Sequence, residues 1–284
     1  MFNNHKKKST ADYSNTKIYK SQEFLNSPEA RQIRILCELT APRQRFEEEE
    51  IEHTIVFFGS ARSVPMDKTL ARLNELEKKM REPNADRDLL TREMEQAKVQ
   101  VKLSRYYEAS VELAKRLTTW SMSLPNPRDR FYVCSGGGPG MMEASNKGAA
   151  EANGPSIGLN ISLPHEQEPN PFQTSRLSFN FHYFFIRKFW FAYLAKALVV
   201  FPGGFGTMDE LFEMLTLIQT KKIHKVVPII LFGSEFWNDF IDFKLLVKWG
   251  VINEKDLDLF KVFDNVNEAF NYLKDQLSRE YLFN

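Results

Sequence analysis

The stretch "VVFPGGFGTMDELFEML", Val199 to Leu215, decides how this chain is read. A β-branched run stops at Pro202, glycines stand at 203, 204 and 206, and an apolar stripe follows at Met208, Leu211, Phe212, Leu215 and Ile218. A buried strand, a tight turn and an amphipathic helix account for those three parts in order. Glycine lets backbone N–H groups approach a ligand closely, and a helix N-terminus adds a partial positive charge, so the junction suits an anion. Thr207-Met-Asp-Glu210 also has the spacing of a capping box, with Thr207 as N-cap and Glu210 at N3.

Working outward, the same pattern recurs. "HTIVFFGSAR" (53–62) is a strand running into Gly59-Ser60, and "FYVCS" (131–135) is a strand running into "GGGPGMMEASNKGAAEANG". Further strands are expected at 156–163, 197–201 and 226–232, with helices between them and a terminal helix over "NEAFNYLKDQLSREYL". A long aromatic helix is expected to run through about Leu194, and "EFWNDFIDFKLLVKWG" reads as one helix. Continuous apolar strands alternating with helices predict a Rossmann-like, doubly wound parallel sheet covered on both faces. Residues 1 to about 22 read as a loosely ordered tail, and 27–50 as one or two helices broken at Pro42. This gives an N-terminal tail and helical extension over 1–50 and an α/β domain over 51–284. A helical arm is inserted at about 66–100, where "PNADRD" divides two helices.

Composition narrows the function. The 284 residues are 43% hydrophobic, with 38 basic and 37 acidic residues and a formal net charge of +1. That balance gives no broad positive field for nucleic acid. Two cysteines, Cys37 and Cys134, do not make a disulfide framework and point to a reducing compartment. No apolar run reaches membrane-spanning length and the N-terminus has no secretory h-region, so a soluble cytoplasmic protein is expected. The five histidines show no metal-ligand spacing. A Walker A pattern is absent, and neither glycine run completes G-x-G-x-x-G.

"SGGGPGMMEASNKGA", "FFIRK" and "PGGFGTMDE" together resemble the Lonely Guy (LOG) family, long mislabelled as lysine decarboxylases. The family pattern P-G-G-x-G-T-x-x-E with an upstream Arg-Lys stands here as Pro202 to Glu210 and Arg187-Lys188. The match runs from about Thr54 to the C-terminus, apart from the arm. The resemblance implies a phosphoribohydrolase that splits nucleoside 5′-monophosphates, AMP or cytokinin-type nucleotides, into base and ribose 5-phosphate. It implies no metal or organic cofactor, and a homodimer or larger assembly with the Arg187 helix near the interface.

Roles follow residue by residue from that resemblance. Glu210 and Arg187 are the catalytic pair, the carboxylate serving an oxocarbenium-like state. Pro202, Gly203, Gly204, Phe205, Gly206 and Thr207 would cradle the 5′-phosphate, with Gly59, Ser60, Gly137, Gly138 and Met142 shaping the pocket. Lys188, about 100° around the helix from Arg187, has a weaker binding role. Glu213 and Thr216 are further substrate contacts, and Glu143 and Glu166 complete the candidates. The aromatic residues from Phe179 to Tyr193 read as core and subunit interface. The rival reading is a non-catalytic nucleotide sensor or molybdenum-cofactor carrier, which needs the glycine loops without the Arg187/Glu210 pair. A third reading is a scaffold that uses the arm.

Overall fold

In the computed structural model, which describes residues 17–83, 85–163 and 168–282, the run His53–Phe58 is the central strand, β1. Its side chains alternate as a strand requires. Ile55 and Phe57 enter one apolar cluster, and Val56 and Phe58 enter the other. Such two-faced burial explains why Ile55 to Phe58 is apolar without a break. The other strands are β2 (Phe131–Ser135), β3 (Ser156–Ile161), β4 (Ser178–Phe181), β5 (Ala195–Val200), β6 (Ile229–Phe232) and β7 (Phe260–Phe263). All pair in parallel, in the order β4-β3-β2-β1-β5-β6-β7. The expected Rossmann-like α/β architecture is therefore present.

The helices are α1 (Gln22–Leu25), α2 (Arg31–Glu48), α3 (Met66–Met80), α4 (Arg87–Met122), α5 (Met141–Glu151), α6 (Phe184–Leu194), α7 (Phe205–Gln219), α8 (Ser234–Phe240), α9 (Phe243–Lys248) and α10 (Val266–Tyr281). Leu113 and Leu117 of α4, Met141 and Ala144 of α5, and Leu273 and Leu277 of α10 cover one face of the sheet. Phe46 of α2, Trp190 of α6, and Leu211 and Met214 of α7 cover the other. The arm is a hairpin. Leu76 of α3 meets Leu90 and Ala97 of α4 in a small cluster of their own, and α4, 36 residues long in all, runs on from there onto the sheet.

Several sequence expectations are corrected. Pro42 lies inside α2 and does not break it. The aromatic run is a strand and then a helix. Leu177 to Tyr183 alternates apolar and polar residues, and β4 occupies its middle with Phe179 and Phe181 buried. The expected helix after Glu235 is two, because Asp242 caps a new start by accepting the Lys244 N–H at 2.9 Å. The strand expected at 226–232 begins at Ile229, after Pro228, which has no N–H for the ladder. β7 was unforeseen because it is a short edge strand with little burial.

Candidate active site

From β1 the sheet grows one way through β2, β3 and β4 and the other way through β5, β6 and β7. The carboxyl ends of β1 and β5 therefore flank a topological switch point, where an open α/β sheet leaves a crevice. The loops there are laced together by backbone bonds: Phe201 N–H to the Phe58 carbonyl at 2.8 Å, Ser60 N–H to Pro202 at 2.9 Å, and Met141 N–H to Ser60 at 3.0 Å. Gly140 makes the last contact possible. Its φ is +72°, and a Cβ there would sit 2.3 Å from the Ser60 carbonyl oxygen. The crevice is a cleft of about 710 Å³.

Of the residues singled out in the sequence, Gly59, Ser60, Gly138, Met142, Arg187, Gly203, Gly204, Phe205, Gly206, Thr207 and Glu210 all line this cleft. A Cβ on Gly204 or Gly206 would meet no atom of the described residues within 4 Å, and neither has a positive φ. The packing of the chain does not require glycine at these two positions, so the room they leave is open to a ligand. Phe205, 97% exposed, stands at the mouth.

The capping-box reading is overturned. α7 starts at Phe205, its N-cap is Gly204, and no side chain caps it. The first intrahelical bond runs from Met208 N–H to the Gly204 carbonyl at 3.1 Å, which leaves the amides of Phe205, Gly206 and Thr207 without intrahelical acceptors. Glu210 thus lies a turn inside the helix. It is 6% exposed and makes no hydrogen bond or ion pair among the described residues. Burial pushes its carboxyl up to about 7, against the pull of Arg187 and Lys188. Arg187 is half-buried beside it. Its guanidinium lies 5.0 Å from the Phe184 ring and 5.6 Å from the Phe191 ring, and Nε has no partner among the described residues. Burial lowers its pKa while Glu210 and Asp209 hold it up. A desolvated carboxyl facing a desolvated cation is the arrangement that perturbs titration at chemical sites.

Other candidates sit elsewhere. Lys188 turns away from the cleft; its Nζ lies 3.0 Å from both oxygens of Asp209 and 3.2 Å from Glu213, so Glu213 is tied up with it. Thr216 is exposed and donates to the Phe212 carbonyl at 2.7 Å. Glu143 accepts from the Tyr107 hydroxyl at 2.8 Å. Pro202 is buried under the loop. The carbonyl of Gly137 faces a polar cluster, accepting from Asn170 and Gln173. Glu166 lies outside the described residues.

Sequence reasoning missed Arg62, Asn160, Phe184, Phe191, Met208 and Phe240, which also line the cleft. Asn160 had a signal, a polar side chain within the apolar run of β3. It donates to the carbonyls of Gly158 and Phe179 and to the side chains of Gln173 and Ser178, at 3.0–3.4 Å.

A family model described as "Possible lysine decarboxylase" matches residues 142–273. The cytokinin riboside 5′-monophosphate phosphoribohydrolase LOG of Oryza sativa subsp. japonica is 30% identical over 152 residues, 52% of this chain and 58% of its own length. The pyrimidine/purine nucleotide 5′-monophosphate nucleosidase of Escherichia coli K12 is 32% identical over 114 residues, 36% of this chain and 24% of its own. The chain thus spans less than two thirds of the length of these curated relatives. Among solved structures, the molybdenum cofactor carrier protein of Chlamydomonas reinhardtii aligns over 80% of this chain and 99% of its own, at 19% identity and a TM-score of 0.41. The matched segment holds the PGGFGTMDE motif and Arg187, and over it the chain is similar to these phosphoribohydrolases and nucleosidases.

Proposed function

We propose that the chain hydrolyses the N-glycosidic bond of nucleoside 5′-monophosphates, with AMP the first substrate to try. The observation that carries this is Glu210, a buried carboxyl without a hydrogen-bonding partner, beside Arg187 in the cleft that opens on the N-terminus of α7. The amides of Phe205, Gly206 and Thr207 hold the phosphate, where the helix adds its partial positive charge. As the bond between C1′ and the base nitrogen breaks, positive charge grows on C1′ and the ring oxygen. The ionised Glu210 carboxylate stabilises that charge, with little water to screen it. The departing base nitrogen takes up one proton and the water that adds to C1′ gives one up, so that the net change is one water added across the C1′–N bond. Arg187 binds and orients the substrate beside Glu210 through its planar donor fork. None of these steps requires a cofactor.

The names of the rice and E. coli relatives support the same substrate class. No helix among the described residues is long and apolar enough to cross a membrane, and with two unpaired cysteines we place the protein in the cytoplasm. The rings of Phe184, Phe185, Phe189 and Tyr193 are exposed on α6, and we assign that face to a homodimer contact.

The test is chromatography of AMP, GMP, CMP, UMP and isopentenyl-AMP after incubation with wild type and with Glu210→Gln. Free base from wild type alone supports the hydrolase. Intact nucleotides in both, with nucleotide bound, favour the sensor or carrier.

A further inference from the structure

Arg187 enters the cleft from the first turn of α6, and no side chain of that helix caps the turn. The N-cap, Tyr183, makes no side-chain capping bond, and the first turn carries no acidic residue. The acceptors come from α2. The Glu38 carboxylate takes the His182 N–H at 2.8 Å and the Tyr183 N–H at 3.2 Å.

Glu38 holds α6 at a second point. In a helix its carbonyl would accept the N–H four residues on, but that residue is Pro42, which has none. The freed carbonyl accepts the indole N–H of Trp190 at 2.9 Å. Phe46, one turn further along α2, packs on Trp190 with ring centres 5.4 Å apart. At the far end of α6, Lys225 Nζ donates to the Ala192 and Tyr193 carbonyls, both at 2.8 Å. The helix is thus met by a negative charge at its start and a positive one at its end, as its dipole favours.

We propose that Glu38 is a positioning residue for Arg187, making α2 part of the site's architecture; this rests on the reading of Arg187 and Glu210 as the nucleotide-cleaving pair. The amides of Ile186 and Arg187 both donate to the Tyr183 carbonyl at 3.2 Å, so Arg187 hangs from the residue that Glu38 holds. The guanidinium itself makes no hydrogen bond among the described residues and sits only between rings. Its aim is therefore set by the helix. Pro42 contributes by removing the one N–H that would compete for the Glu38 carbonyl.

The test is a double-mutant cycle in the full chain, with kcat/KM for AMP measured in Glu38→Ala, Arg187→Ala and the pair. Glu38→Ala is expected to lower kcat/KM roughly 10–100-fold, the scale on which about 1 Å of misplacement acts. The pair is expected to fall no further than Arg187→Ala alone, because the first effect passes through the second residue. Additive losses overturn the proposal. Leu76→Ala, in the arm, controls for lost stability and should leave kcat/KM unchanged.

A second readout is independent of activity. The Nε–H resonance of Arg187, identified by its absence in Arg187→Lys, should move in Glu38→Ala and stay in Leu76→Ala. An unmoved resonance overturns the proposal even in a protein that cleaves no nucleotide, which would separately sink the hydrolase reading. Should Glu38→Ala not fold, Pro42→Ala keeps the carboxylate while restoring the competing N–H. The same resonance should then move with a few-fold loss of kcat/KM, and a Pro42→Ala protein indistinguishable from wild type counts against the clamp.

Discussion

Replacing Glu210 with glutamine should stabilise the fold while abolishing turnover, and the gain should depend on pH in a calculable way. Glu210 titrates at about 7 in the fold, against an ordinary value of 4.5, chiefly because it is buried. Between those values the folded chain keeps a proton that the unfolded chain has lost. Stability therefore falls as pH rises through that window. Ionising the buried group above the window costs about 3 kcal/mol. Glutamine stays neutral at every pH and nearly matches the shape. The variant's advantage should grow from under ~1 kcal/mol at pH 5 to about 3 kcal/mol at pH 8. For a chain of this size that is a rise in Tm of roughly 5 °C at pH 8. Urea unfolding of both proteins at pH 5, 6, 7 and 8, with the midpoints compared at equal m-value, measures it. A stability difference that does not change with pH would refute the argument, since it would mean that Glu210 ionises in the fold as it does in water. A loss of stability at pH 8 would show instead that the Arg187–Glu210 attraction outweighs desolvation.

The other expectations follow from the same geometry. Gly206→Ala should raise stability by about 0.5–1 kcal/mol, since alanine suits a helix better than glycine and nothing blocks its Cβ. The same methyl should crowd a phosphate at the amides and raise KM for AMP roughly tenfold, or about 1.4 kcal/mol; steady-state kinetics beside thermal melts tests both halves. Lys188→Met removes a charge that holds the Glu210 carboxyl down and leaves Asp209 and Glu213 facing each other one turn apart. The acid limb of kcat/KM against pH, near 7 in wild type, should move to higher pH, and an unmoved limb would count against Glu210 as the ionising group. Phe185→Lys with Tyr193→Lys puts charge on the exposed face of α6. Light scattering should then give the mass of one chain where wild type gives at least two, and a wild-type monomer would remove that face from consideration.

Much of this molecule was legible in its sequence because the signals are local. Apolar runs ending in glycine marked β1, β2 and β5 and the turns after them, since strand burial and tight turns are each encoded within a few residues. Most of the cleft-lining glycines, though not Gly136, could be named from the motifs and their resemblance, as could Arg187 and Glu210. What stayed hidden depends on contacts between distant segments. Sequence spacing made Glu210 a helix cap, whereas the start of α7 at Phe205 moved it inward and burial changed its chemistry. Gly137 and Gly138 are neighbours in the chain, yet only Gly138 lines the cleft. Pro42 read as a helix break because its missing N–H is visible in the sequence, while the Trp190 indole that takes the vacated carbonyl is not. Turns, strands and amphipathic faces were determined by the sequence alone, because each depends on residues within a turn or two. Proton affinity, the aim of a side chain and the partner of a freed carbonyl were decided by the tertiary structure, because desolvation and hydrogen-bond geometry exist only once remote segments pack together.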